Sequence, residues 1–88
     1  MTKSMHTPEY EQFRLLMVSE REKSRLTQLD ISKRLNRPQS FVSKYESGER
    51  RLDVVEFIQV CIALGVEPQH VVAAFQKRLV QHPLVNSD

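Results

Sequence analysis

The sequence predicts an all-α fold of five helices, and three observations carry that prediction. Apolar residues recur at three- and four-residue spacing in five separate stretches. Pro8, Pro38 and Pro68 suit first helical turns, where a missing N–H costs nothing, while Gly48 and Gly65 suit the left-handed residue just past a helix end. Two capping-box variants, Thr27 with Asp30 and Asp53 with Glu56, announce two further helix starts.

The first helix begins at Thr7-Pro8, with Thr7 as cap, and runs to about Lys23. Tyr10, Phe13, Leu16, Met17 and the aliphatic stem of Glu20 form its apolar face, and Arg14, Glu22 and Lys23 are read as solvated. Leu26 to Gly48, LTQLDISKRLNRPQSFVSKYESG, then reads as two short helices joined by a tight turn. The second helix starts near Gln28, stapled by Leu26 and Ile31, and the break falls at Asn36-Arg37-Pro38. The third runs from about Pro38, placed in its first turn, to Ser47.

The fourth helix is capped by Asp53, stapled by Leu52 and Phe57, and ends at Leu64-Gly65. Val54, Phe57, Ile58, Cys61, Ile62 and Leu64 are read as its buried face, which makes Cys61 a structural residue. Pro68 opens the fifth helix, whose Val71, Val72, Phe75, Leu79 and Val80 exceed what a terminal helix needs for one side of a small core. Val72, Phe75, Leu79 and Val80 are therefore expected to form a dimer interface. The expected division is a disordered N-terminus at 1–7, one domain at 8–81 and a C-terminal tail at 82–88, frayed or laid on a partner subunit.

At about 100° per residue, Phe41, Val42 and Tyr45 fall on one side of the third helix and Gln39, Ser40, Ser43 and Lys44 on the other. The second set offers an amide, two hydroxyls and an ammonium with no acid, groups able to bond base edges and phosphates. Charge concentrates in the same place. From Arg25 to Arg51 seven Lys or Arg stand against three acids, a local balance of +4 in a chain of net +2, so the rest of the chain is net acidic.

These residues resemble the Xre/Cro/phage-repressor class of helix-turn-helix domains, over residues about 10 to 72, and RPQSFVSKYESGERRLDVVEF is similar to one bacterial subgroup. The resemblance implies a compact five-helix, lambda-repressor-like fold. It also implies that Gln28 bonds a backbone phosphate, that Gln39, Ser40, Ser43 and Lys44 face the major groove, and that Arg21 pairs with Glu46 as a structural ion pair. The chain departs from the pattern at Asn36 and Arg25, which replace frequent glycines, at Arg37, which replaces an apolar residue, and at Ser32, which replaces an alanine. Arg25 and Arg37 add charge beside the expected DNA backbone, and with Arg50 and Arg51 they are assigned to phosphate contacts.

Other function classes find little support. His6, His70 and His82 are dispersed, the two glycines both end helices, and no catalytic constellation or phosphate-cradling loop emerges, so no enzyme activity is expected. A lone cysteine excludes an internal disulfide and gives no metal-ligand spacing. No cofactor, metal or small-molecule ligand is expected. No apolar run approaches the roughly 18 residues of a membrane span, and no signal region is present, so a cytoplasmic protein without a membrane partner is expected. The reading is a sequence-specific regulator that binds double-stranded DNA as a homodimer on a palindromic operator. The alternative is a protein-binding antitoxin or adaptor module that keeps the same fold.

Overall fold

The computed structural model describes residues 7–81. The disordered N-terminus expected at 1–7 lies outside the described residues except for Thr7, which is placed as a helix cap; the tail at 82–88 lies outside them entirely. The chain forms α1 (Pro8–Lys23), α2 (Gln28–Leu35), α3 (Gln39–Ser47), α4 (Val54–Leu64) and α5 (Pro68–Gln81), and the described residues contain no strand.

Local chemistry accounts for the boundaries. Thr7 Oγ1 accepts from the Tyr10 N–H at 3.1 Å to start α1. Thr27 and Asp30 form a reciprocal capping box at the start of α2, and Asp53 and Glu56 form another at the start of α4. Asn36 closes α2 in the left-handed region (φ 57°), which Asn enters more readily than most side chains. Arg25 shares that conformation at φ 60°, which explains why a glycine is common there. Pro38 is displaced from its expected place: it caps α3 with extended ψ (152°), one residue before the first turn, and its carbonyl accepts from the Phe41 N–H at 3.0 Å.

Helix α2 packs on α3 and α4, α1 on α3 and α5, and α4 on α5. Their shared core comprises Leu16 and Met17 from α1, Ile31 from α2, Phe41, Val42 and Tyr45 from α3, Phe57, Val60, Cys61, Ala63 and Leu64 from α4, and Val71 from α5. Fully buried aliphatic side chains such as Ile31 and Val60 each contribute about 1.5–3 kcal/mol of transfer free energy. Burial also pushes the Cys61 thiol up to about 11, with Glu20 adding to the shift, so the thiolate is suppressed at neutral pH.

Three expectations about packing are corrected. On α4, Val54, Ile58 and Ile62 are exposed (68%, 41% and 70%), and Val60 and Ala63 point inward with Phe57, Cys61 and Leu64. The helix is apolar on nearly every side, so spacing alone does not choose its buried face; contact with α2 and α5 does. On α5, Phe75 is half-buried, its ring set edge-on to Phe13 at 5.4 Å, and Leu79 is also half-buried, whereas Val72 and Val80 remain exposed. Phe75 therefore serves the protomer's own core and is not surplus.

Arg14 is likewise not a solvated residue. It donates to Glu11 from Nε (2.7 Å) and Nη2 (2.6 Å), and Nη1 donates to the carbonyl of Glu46 at the end of α3. Gly48 makes room for that arm: a Cβ there would meet Arg14 Cδ at 3.3 Å, and its φ of +90° is a conformation that L side chains rarely adopt.

Candidate nucleic-acid interface

The two faces of α3 separate as its sequence implies. Phe41, Val42, Tyr45 and Glu46 are buried, whereas Gln39, Ser40 and Lys44 are exposed and Ser43 is half-buried, its hydroxyl donating to the Ser40 carbonyl at 3.2 Å. The structure thus brings the four expected base-reading residues onto one accessible strip. No side chain caps the N-terminus of α3, so its first N–H groups and the positive end of its dipole lie beside Gln39 and Ser40.

Behind that strip, a polar cluster joins three helices. Arg21 of α1 donates from Nε to Glu46 Oε2 (2.7 Å) and from Nη2 to Oε1 (3.1 Å), the two-point geometry that suits a guanidinium and a carboxylate. Nη1 of the same arginine donates to the Leu26 carbonyl at 2.7 Å, in the turn that leads into α2. The Glu46 side chain is 6% exposed and that of Arg21 16%, so water screens the pair weakly. Gln28 completes the cluster, its Nε2 donating to Glu46 Oε1 at 2.9 Å. Its side-chain amide, assigned to a phosphate from the family pattern, is engaged inside the protein.

The flanking arginines are held in different ways. Arg25 is exposed on the turn between α1 and α2. Arg51 lies over the Tyr10 ring at 4.5 Å and donates to Thr7 Oγ1 at 3.3 Å. Arg37 and Arg50 both stack on Phe41, at 4.2 Å and 4.9 Å from the ring centroid, and both approach the Glu56 carboxylate. The bonds from Arg50 and from the Asp53 N–H hold that carboxyl below the usual glutamate range. Its contribution to stability is accordingly complete above the unfolded pKa of about 4.3 and is lost as pH falls through the lower folded value.

Sequence reasoning missed Glu56 and Phe41 as parts of this rim. Glu56 carried the signature of a helix start, and Phe41 that of a core residue. Nothing in local spacing pairs Glu56 with Arg37. Of the other cations in the basic segment, Arg34 is committed to the scaffold, donating from Nη1 to the Ala63 carbonyl at 2.8 Å.

Among the described residues no group of three or more His, Cys, Asp or Glu is placed to hold a metal ion. Among the same residues no single helix is long and apolar enough to cross a membrane.

Comparison with known proteins identifies the family and the fold. Residues 19–71 match the helix-turn-helix family HTH_3. An XRE-family like protein from Pseudomonas syringae pv. tomato str. DC3000 is 39% identical, with a TM-score of 0.78 over 86% of this chain and 93% of that one. A point mutant of the restriction-modification controller protein C.Esp1396I shares the fold at 18% identity, with a TM-score of 0.79 over 88% of this chain and 98% of that one. No curated protein matches the sequence. The chain belongs to the Xre-type helix-turn-helix family of DNA-binding transcription regulators.

Proposed function

We propose that the chain recognises a near-palindromic operator as a homodimer in the cytoplasm, each copy laying α3 in the major groove of one half-site. The observation that carries this reading is the strip of Gln39, Ser40, Ser43 and Lys44 on a helix whose opposite face is buried, flanked by cationic side chains. In this reading Gln39, Ser40, Ser43 and Lys44 meet base edges, and Arg25, Arg37, Arg50 and Arg51 meet the phosphates on either side. Gln28 keeps its place at the start of α2, where its backbone N–H can approach a phosphate while its side chain stays on Glu46. Half-site centres would lie about 34 Å apart, one turn of duplex.

The two sets of contacts predict different failures. Arg37→Ala should weaken specific and non-specific DNA alike and lower the slope of log affinity against log salt by about one unit, because one counterion-releasing contact is lost. Titration by fluorescence anisotropy at several salt concentrations measures this, and a selection on randomised operators should return the wild-type sequence. An unchanged salt slope would remove Arg37 from the backbone contacts.

Dimerisation rests on where apolar surface is exposed. Of the eight exposed large hydrophobic residues among those described, six lie on α4 and α5: Val54, Val55, Ile58, Ile62, Val72 and Val80. A second copy of the chain covering these two helices would bury them. Phe75 and Leu79 stay at the edge of that surface, half-buried in their own protomer. Ile62→Glu with Val72→Glu should then give a folded monomer by equilibrium sedimentation, with operator affinity reduced. A wild type already monomeric at micromolar concentration would sink the dimer.

The same apolar exposure favours the second reading, a protein-binding antitoxin or adaptor. A gel shift that shows no sequence preference, with only weak binding that moderate salt abolishes, would support it over the regulator.

A further inference from the structure

Arg37 precedes α3 and Arg50 follows it, so the two arginines come from opposite ends of the helix, yet they converge on one carboxylate. Arg50 donates from Nη1 to Glu56 Oε1 (3.0 Å) and from Nη2 to Oε2 (2.7 Å), and Arg37 Nη2 lies 3.7 Å from the same Oε2. Both guanidinium groups sit over the Phe41 ring. Glu56 is itself fixed from behind: its Oε1 accepts from the Asp53 N–H at 3.0 Å, its own N–H donates to Asp53 Oδ1 at 2.8 Å, and the residue is buried. The arginines are not consumed by this arrangement, since their side chains remain 40% and 38% exposed.

An arginine carries several donors in a planar fork, so one edge can be bound while the others stay available. A free arginine must also surrender rotamer freedom when it meets a phosphate. One that is already stacked and paired has lost much of that freedom during folding. We infer that Glu56 is a positioning residue for DNA binding, holding Arg37 and Arg50 against Phe41 so that both are pre-set for the phosphate backbone flanking α3. This inference rests on the reading of those two arginines as phosphate contacts.

Glu56→Gln gives a test whose sign is informative. The substitution keeps the side chain's size and an oxygen for the Asp53 N–H, and it raises the net charge of the chain by one. If charge alone governed the rim, removing an acid beside DNA would tighten binding. Pre-setting predicts the opposite, a loss of about threefold to tenfold in operator affinity, measured by anisotropy at a temperature where both proteins are shown by circular dichroism to be folded. In a chain already carrying Arg37→Ala and Arg50→Ala, Glu56→Gln should no longer weaken binding, because no arginine is left to pre-set and only the gain in positive charge remains.

Unchanged or tighter binding by Glu56→Gln, alongside a clear loss for the arginine double variant, would overturn the role of Glu56 alone. An equal loss from Glu56→Gln with and without the arginines would also overturn it, because the glutamate would then act through the start of α4. An arginine double variant that binds as tightly as wild type, with the same salt slope, would overturn the phosphate reading itself and the inference with it.

Discussion

Glu46→Ala should destabilise the fold by about 3–5 kcal/mol, a large share of the 5–15 kcal/mol typical of a domain. The cost has several sources. The Arg21 guanidinium, mostly buried, loses both bonds to its carboxylate and keeps only the Leu26 carbonyl, and Gln28 Nε2 loses its acceptor. The cluster also ties α1, the turn into α2, and α3 together, so its loss loosens the setting of the reading helix. At about 4–8 °C per kcal/mol for a domain of this size, the melting temperature should fall by at least about 12 °C. An exposed pair would shift stability by about 1 kcal/mol or less, so an unchanged melting temperature for Glu46→Ala would contradict the buried cluster. Replacing Arg21 and Glu46 together with apolar residues of similar size should recover much of the loss, because no buried charge is then left unpaired.

The second large effect is expected at the DNA surface. Gln39→Ala should cost about 1–3 kcal/mol of binding at one base position per half-site and relax selectivity there, if Gln39 makes a two-point contact to adenine. Its place favours that role: it is exposed in the first turn of α3, at the end that no side chain caps and that enters a groove most deeply when a reading helix docks by its N-terminus. Truncation at this site should leave the fold unaffected, in contrast to Glu46→Ala. A selection on randomised operators by the variant and the wild type is the deciding measurement. Loss of preference at one symmetric position is the expected result, whereas an identical preferred operator would remove Gln39 from base reading. Together with Arg37→Ala, which should change affinity and leave preference intact, the pair separates reading from positioning.

What the sequence by itself determined about this protein is its local grammar. Thr7 with Pro8, the Thr27–Asp30 and Asp53–Glu56 boxes, Asn36, Gly48 and Gly65 mark the helix ends, because caps and left-handed turns are built from groups within a few residues of one another. The polar strip of α3 was legible for the same reason, since a strongly two-sided helix announces its faces. The contacts that set the strip in place lay beyond such rules. Arg14 reaches the carbonyl of Glu46 across the interior, Arg37 and Arg50 meet on Glu56, and Gln28 turns inward to the same glutamate that Arg21 holds. Only the tertiary structure decided these, because an arginine or glutamine can span several ångströms in many directions and the helix packed against it determines which acceptor it finds. The buried side of α4 was decided in the same way: with apolar residues on nearly every face, its neighbours α2 and α5 selected Val60 and Ala63 for the core and left Ile58 and Ile62 at the surface.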